Sequence, residues 1–309
     1  MSINFTIDNF MTDCVLCPRQ CHANRSAGQL GYCGQTDKLM AARAALHFWE
    51  EPCISGTNGS GTVFFSGCNM RCVFCQNHNI ALGKTGKPIS LERLVEIFLE
   101  LQKKGAHNIN LVTPTHFIPQ IAKALEAAKL QGLSIPIVYN TGSYEEVSSL
   151  RLLEGLVDIY LPDLKYYSPE LSLCFSHAAD YFEQATAAIA EMYRQVGQPV
   201  FDDDSDLLNR GMIVRHLLLP GQTKDSKKIL RYLYETYGDN IYISIMSQFT
   251  PLGIPIWGEN YPELNRTVTE EEYDTLIDFA CRLGIKNAFI QDGSAASESF
   301  IPAFGGEGV

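Results

Sequence analysis

Between residues 62 and 291, short runs apolar on both faces alternate with longer runs whose apolar positions recur every three or four residues. The first kind predicts buried strands and the second amphipathic helices. The predicted strands are "TVFF" (62–65), "NINLVT" (108–113), "IPIVYNTG" (135–142), "LVDIYLPDLK" (156–165), "GMIVRHLLLPG" (211–221), "IYISIMS" (241–247) and "NAFIQ" (287–291). Helices are predicted between them at 90–105, 118–132, near 144–154, roughly 170–196, 227–238 and 269–284. In the first helix Leu91, Leu94, Val95, Phe98 and Leu101 make one stripe, with Ser90 as N-cap and Gly105 as stop. The last opens on a capping box from Thr269 to Glu272.

Six or seven such units predict an α/β fold, a partial (β/α)6-type TIM barrel, spanning residues 59–292. In that architecture chemistry sits at the C-terminal ends of the strands. Polar residues just after the strands should therefore converge, and those before them should not. Residues 1–58 stand outside the alternation as a cysteine-rich N-terminal segment. An irregular Pro- and Gly-rich stretch follows the sixth strand, and 293–309 reads as a loosely held tail.

Composition narrows the classes. Hydrophobic residues make up 46% of the 309, enough for a substantial core. The net charge of −11 repels phosphate backbones and argues against nucleic acid as a partner. No apolar run is long enough to span a membrane, and "MSINFTIDNF" does not read as a signal peptide. The expected location is the cytoplasm, where thiols stay reduced. Seven of the ten cysteines fall in two tight groups, which points to metal chemistry rather than disulfides. Cys53, Cys174 and Cys281 stand alone and read as small buried apolar residues.

The second group lies in "SGCNMRCVFCQNHNIA" (66–81), just after a predicted strand. Cys68, Cys72 and Cys75 have the spacing C-x3-C-x2-C. Three thiolates hold three irons of a four-iron cube and leave the fourth iron open to a ligand that is not protein. A zinc site completed by His78 is the alternative. With Phe74 before the last cysteine, this loop resembles the radical S-adenosylmethionine (radical SAM) superfamily. That resemblance implies a [4Fe-4S] cluster on Cys68, Cys72 and Cys75, which are then also the catalytic residues. It implies S-adenosylmethionine on the open iron, and reductive cleavage to a 5′-deoxyadenosyl radical that abstracts hydrogen.

Within the superfamily, four stretches resemble the glycyl-radical activating enzymes typified by pyruvate formate-lyase activase. They are "CQNHN", "YNTG" (139–142), "LPDLK" (161–165) and "VRHLLLPGQT" (214–223). The resemblance implies cofactor contacts from Phe74, Asn77, Asn140, Thr141, Asp163, Lys165 and His216. Asp163 and Thr141 would hold a monovalent cation or the methionine carboxylate, Lys165 would neutralise charge, and His216 would contact ribose or carboxylate. Two departures stand out. The family's turn aspartate is Asn140 here, and its G-G-E reads "TPTH" (113–116), so Thr113, Thr115 and His116 become the candidate acceptors. The literal "GGE" at 305–307 lies in the tail and reads as a decoy. The bland alternatives are a structural ion pair for Asp163 and Lys165 and a satisfied core histidine for His216.

The first group, Cys14, Cys17, Cys21 and Cys33, has the spacing C-x2-C-x3-C-x11-C. Four soft ligands can close a shell around zinc or around a second iron–sulfur cluster. Such a segment ahead of the radical motif resembles a branch of relatives of pyruvate formate-lyase activase. The implied partners are a flavodoxin- or ferredoxin-type reductant, which Arg71, Lys84 and Lys87 could meet, and a glycyl-radical enzyme. A different protein, peptide or small molecule is the other substrate reading. A non-catalytic iron–sulfur or zinc electron-transfer module is the rival from another class.

Overall fold

The computed structural model describes residues 7–251, 262–291 and 304–309. The elements run α1 (Ile7–Met11), β1 (Met40–His47), α2 (Pro52–Ser55), β2 (Ser60–Phe65), α3 (His78–Ala81), β3 (Lys87–Pro88) and α4 (Leu91–Lys103). They continue with β4 (Ile109–Val112), α5 (Ile118–Leu130), β5 (Ile137–Thr141), α6 (Val147–Leu150), β6 (Ile159–Pro162), α7 (Pro169–Ser176) and α8 (Tyr181–Val196). The last are β7 (Val200–Phe201), β8 (Leu208–Leu217), α9 (Thr223–Tyr237), β9 (Tyr242–Met246), α10 (Glu270–Leu283) and β10 (Ala288–Ile290).

The sheet order is β10-β9-β8-β6-β5-β4-β2-β1-β3, with β7 on β8. From β2 to β10 every neighbouring pair along this path is parallel. β1 runs antiparallel to β2 and to β3. The path ends at β3 and β10, so the sheet is an open partial barrel, as the apolar alternation predicts.

Strand alternation divides the apolar residues into two cores. Val63, Phe65, Leu111, Tyr139, Tyr160 and Val214 point outward into the main core, which also holds the apolar faces of α4, α5, α8, α9 and α10. Val138, Ile159, Leu161 and Ile213 point inward and pack on Cys53 and Ile54 of α2. Of the three lone cysteines expected to be buried, Cys53 is, whereas Cys174 and Cys281 are exposed. Each fully buried aliphatic side chain stabilises by about 1.5–3 kcal/mol. Above this inner plug the inward positions become polar, and that is where the site lies.

Local signals are honoured closely. Ser90 Oγ accepts from Arg93 N at 3.1 Å and caps α4. Thr269 and Glu272 form the capping box of α10.

The structure differs from the expectation in three places. β1 falls within 1–58 yet pairs with β2 along its length, so part of that segment belongs to the sheet. Its Ala-rich sequence, "MAARAALH", carries too few large apolar residues to announce a strand. The single helix expected over 170–196 is two helices, broken where His177 adopts a left-handed conformation at φ 53°. The end of the tail is not loose. Gly306 N donates to Ala42 O at 3.1 Å, Ala44 N donates to Glu307 O at 2.8 Å, and Arg43 pairs with Glu307 at 2.7 Å. The "GGE" thus lies along β1. Residues 293–303, most of the Pro- and Gly-rich stretch (252–261) and the start "MSINFT" lie outside the described residues. Among the described residues no helix is long and apolar enough to cross a membrane.

Candidate active site at the strand ends

An open cavity of about 240 Å³ lies over the C-terminal ends of the parallel strands. After β2 it is lined by Cys68, Cys72, Phe74, Cys75 and Asn77. After β4 come Thr113 and Thr115, from β5 Asn140 and Thr141, and after β6 Asp163 and Lys165. β8 adds Arg215 and Leu217, and the chain after β9 adds Gln248, Phe249 and Thr250. The polar residues that follow the strands thus converge, as the barrel expectation requires.

The three cysteines share one end of this cavity and interact electrostatically with one another. Burial pushes the Cys68 thiol up to about 11 and the Cys75 thiol up to about 12. Lys165 opposes that rise at both, so an ammonium stands within range of the sulfurs. Met70 N donates to Cys68 Sγ at 3.3 Å, and Ser176 Oγ donates to Cys72 Sγ at 3.0 Å. The helix break after Ser176 has its reason here. Arg19 takes the carbonyls of Ser176 (2.8 Å) and His177, which fixes the end of α7 against the loop. Phe74 is buried and packs edge-on against Tyr166, Phe175 and Phe249. The aromatic before the last cysteine is therefore a rigid wall for the loop.

Beneath the thiols lies a buried charge network. Asp163 Oδ2 accepts from Lys165 Nζ at 2.6 Å, and its Oδ1 accepts from Arg215 Nε at 2.9 Å. Arg215 also donates to Glu50 Oε2 at 3.1 Å and to Asn140 Oδ1. Glu50 Oε1 accepts from Asn110 at 3.0 Å and from Asn140 at 3.3 Å. Burial alone would raise the Asp163 carboxyl, but Arg215 and Lys165 hold it below its ordinary range. At Glu50 burial wins over Arg215, and the carboxyl is pushed up.

A second buried carboxyl sits behind the lining. Glu145 Oε1 accepts from Thr115 at 2.6 Å, from Tyr139 at 3.2 Å and from Thr141. Burial pushes Glu145 up to about 7, and its Oε2 has no partner among the described residues. It therefore locks the hydroxyls of two threonines that line the cavity. Thr113 holds φ 56°, rare for a β-branched residue and costing about 1–3 kcal/mol. That strain sits where the chain turns from β4 into the cavity.

Of the sequence-predicted cofactor residues, Phe74, Asn77, Thr113, Thr115, Asn140, Thr141, Asp163 and Lys165 all line the cavity. His116 and His216 are not among its lining residues, and the structure corrects both. His116 bonds Ser66 O at 2.7 Å, and burial brings its ring down to about 3. His216 bonds Leu164 O at 2.7 Å, and burial brings it down to about 4. Both are neutral histidines that tie strand ends together. The reason is alternation: Arg215 and Leu217 occupy the inward positions of β8, so His216 faces the helices. Sequence reasoning missed Arg215, for which this alternation was the available signal. It also missed Glu50 and Glu145, for which no local signal exists. His78, which would complete the zinc alternative, is not among the lining residues.

An open parallel half-barrel with three convergent thiols beside a polar cavity defines a class of cofactor-dependent enzyme. The sequence profile of the Radical SAM superfamily matches residues 62–233, and the chain belongs to that superfamily. It is 27% identical over 282 residues to an uncharacterized protein of Methanocaldococcus jannaschii, covering 88% of this chain and 75% of that one. Among solved structures, a domain of pyruvate-formate lyase-activating enzyme from Bacteroides vulgatus superimposes with a TM-score of 0.41 at 15% identity. That match covers 57% of this chain and 92% of the other. Streptococcus suis SuiB, bound to its precursor peptide SuiA, gives 0.49 at 11% identity, covering 73% of this chain and 46% of SuiB. Superfamily membership makes the chain a radical SAM enzyme and brings a [4Fe-4S] cluster and S-adenosylmethionine as its cofactors.

Proposed function

We propose that Cys68, Cys72 and Cys75 hold the [4Fe-4S] cluster and that the adjoining cavity holds S-adenosylmethionine for hydrogen abstraction from a partner protein. The observation that carries this reading is the convergence of three thiols on a polar cavity at the strand ends. When bound, the cluster and cofactor together supply one-electron reductive cleavage of the sulfonium and a 5′-deoxyadenosyl radical.

The residues fit that pair. The cavity wall offers a buried hydroxyl, Thr250 Oγ1, that has no partner among the described residues. Lys165 supplies positive charge beside the thiolates and a donor for the methionine carboxylate. Asn140, Thr113 and Thr141 offer amide and hydroxyl groups to the amino-acid end, with Glu145 fixing the orientation of Thr141. Arg215 takes the place of the expected monovalent cation. Both oxygens of Asp163 are already occupied by Arg215 and Lys165, so a cation would compete with two built-in ones. Phe74 and Phe249 exclude water from the thiol side.

The substrate class we propose is the glycine Cα–H of a glycyl-radical enzyme. The support is the likeness of "CQNHN", "YNTG", "LPDLK" and "VRHLLLPGQT" to the activating enzymes. A flavodoxin- or ferredoxin-type protein is the proposed reductant, and exposed Lys84 and Lys87 flank the loop as contacts for its acidic face.

The test is anaerobic reconstitution, reduction with excess S-adenosylmethionine, and assay for 5′-deoxyadenosine. The wild type should form it, and C68A/C72A/C75A should not. Failure of cluster-loaded, cofactor-bound wild type to form it overturns the reading. Incubation with candidate glycyl-radical enzymes should give a glycyl EPR doublet. Absence of the doublet across the candidates, while 5′-deoxyadenosine accumulates, overturns the substrate class alone.

A further inference from the structure

The four cysteines of the N-terminal segment do not line the active-site cavity, yet the structure brings them together beside it. Cys14, Cys17 and Cys33 are buried and Cys21 is exposed. Two tight turns gather them. Cys14 and Ala23 are bridged by backbone hydrogen bonds (Cys14 N to Ala23 O, 3.2 Å), and Gly34 N closes a turn on Gly31 O at 2.9 Å. The Cys21 and Cys33 sulfurs both lie within 3.5 Å of the point where a Cβ on Gly31 would stand. Cys33 also lies within electrostatic range of Cys14, and Cys17 of Cys14 and Cys33.

Beside these thiols is Arg25, with no exposed surface at all. Its guanidinium donates to Thr36 O at 2.6 Å, to His116 O at 2.7 Å and to Cys14 Sγ at 3.7 Å. Among the described residues it makes no ion pair with a carboxylate. A buried cation without an anion is costly. Four thiolates around a divalent metal core carry excess negative charge, which is the counter-charge this guanidinium lacks.

The segment is docked directly on the three-cysteine loop. Cys33 O accepts from Cys68 N at 3.3 Å. The side chain of Asn69, the residue after Cys68, reaches the Cys17 thiol. Arg19, two residues past Cys17, donates to Asn69 O at 2.8 Å. One hydrogen bond therefore separates a ligand of the first group from a ligand of the second.

We propose that Cys14, Cys17, Cys21 and Cys33 hold a second iron–sulfur cluster that passes single electrons to the three-cysteine loop. The docking of the segment directly on the three-cysteine loop favours a redox centre over a zinc ion, which would only brace the fold. The electron step makes and breaks no bond. A low-potential flavodoxin- or ferredoxin-type donor is oxidised by one electron, the four-cysteine centre is reduced, and it returns to its oxidised state as the electron moves on through the Cys33–Cys68 contact. The relay role rests on the reading of Cys68, Cys72 and Cys75 as cluster ligands, whereas occupancy of the four-cysteine site does not.

The test begins with iron and zinc counts on the full chain after anaerobic reconstitution. The wild type should carry about eight irons, and C68A/C72A/C75A and C14S/C17S/C33S about four each. About four irons and one zinc in the wild type, or zinc or no metal in C68A/C72A/C75A, overturns the second cluster. Iron retained in that variant but absent from C14S/C17S/C33S supports the second cluster and sinks the reading of the three-cysteine loop instead. EPR of the reduced wild type should show broadened, fast-relaxing signals that simplify in each variant. A wild-type spectrum equal to the sum of the two variant spectra overturns the relay.

Discussion

Arg215 should be the residue on which the inner polar layer most depends. Its side chain is 13% exposed, against 10% for Glu50 and 18% for Asp163. Arg215→Met keeps the stem and removes the charge. Asp163 then retains Lys165, but Glu50 keeps only the amides of Asn110 and Asn140. Removing one partner from a buried ion pair costs about 3–5 kcal/mol, because the other charge is left in low dielectric. Unfolding entropy is about 2.1 cal/mol/K per residue, so for 309 residues the cost lowers the melting midpoint by roughly 5–8 °C. The loss should also depend on pH. Without Arg215, the Glu50 carboxyl rises further above its unfolded value, so the folded state binds the extra proton and stability falls as pH rises through that window. The deficit is therefore larger at pH 8 than at pH 5. Adding Glu50→Gln should recover part of it, and Arg215→Lys should fall short of wild type because an ammonium lacks the planar fork that spans Asp163, Glu50 and Asn140. Scanning calorimetry of the metal-free protein at both pH values is the assay. A midpoint within about 1 °C of wild type, or no recovery by Glu50→Gln, would refute the network as a source of stability.

Four further outcomes follow from the same geometry. Lys165→Met should weaken S-adenosylmethionine binding by roughly 10- to 100-fold in equilibrium dialysis while leaving iron content unchanged, since Arg215 still holds Asp163. Glu145 is raised to about 7 from an unfolded value near 4.5, so it erodes stability as pH rises from 4.5 to 7. Glu145→Gln should flatten that slope and gain up to about 3 kcal/mol at pH 8, read from urea midpoints. Gly67→Ala sets a Cβ 2.6 Å from Cys33 O at φ +91°, which should lift the N-terminal segment off the loop and speed its proteolysis several-fold. Thr269→Ala removes the cap of α10 and should cost about 1 kcal/mol with the site unaffected.

The strands that were legible in the sequence share one property: they are buried on both faces, so their apolar runs are nearly continuous. "NINLVT" and "IYISIMS" could hardly be read otherwise. β1 lacks that property. Its buried positions are all alanines, and the tail covers its other edge, so its burial shows in the structure and not in its composition. The break between α7 and α8 was illegible for a different reason. No Pro or Gly marks it, and what sets it is Arg19, more than 150 residues away, binding two carbonyls of the turn.

The site follows the same division between local and distant causes. Cys68, Cys72, Cys75 and Phe74 lie within one loop, so spacing alone reveals them. The floor of the cavity is assembled from four strand ends and from Glu50, and only register brings these together. Asn140 pairs with Val112 and Leu161 across the sheet, and Asp163 bridges to Arg215. Asp163 and Arg215 face each other on adjoining strands, Asn140 sits one inward position lower, and the guanidinium reaches both as well as Glu50. The histidine beside Arg215 drew attention because imidazoles so often do chemistry. Strand alternation assigns the cavity to the arginine instead, and a guanidinium suits the place better. It remains charged at every working pH and bridges three acceptors at once, so the floor keeps its shape while charge changes above it.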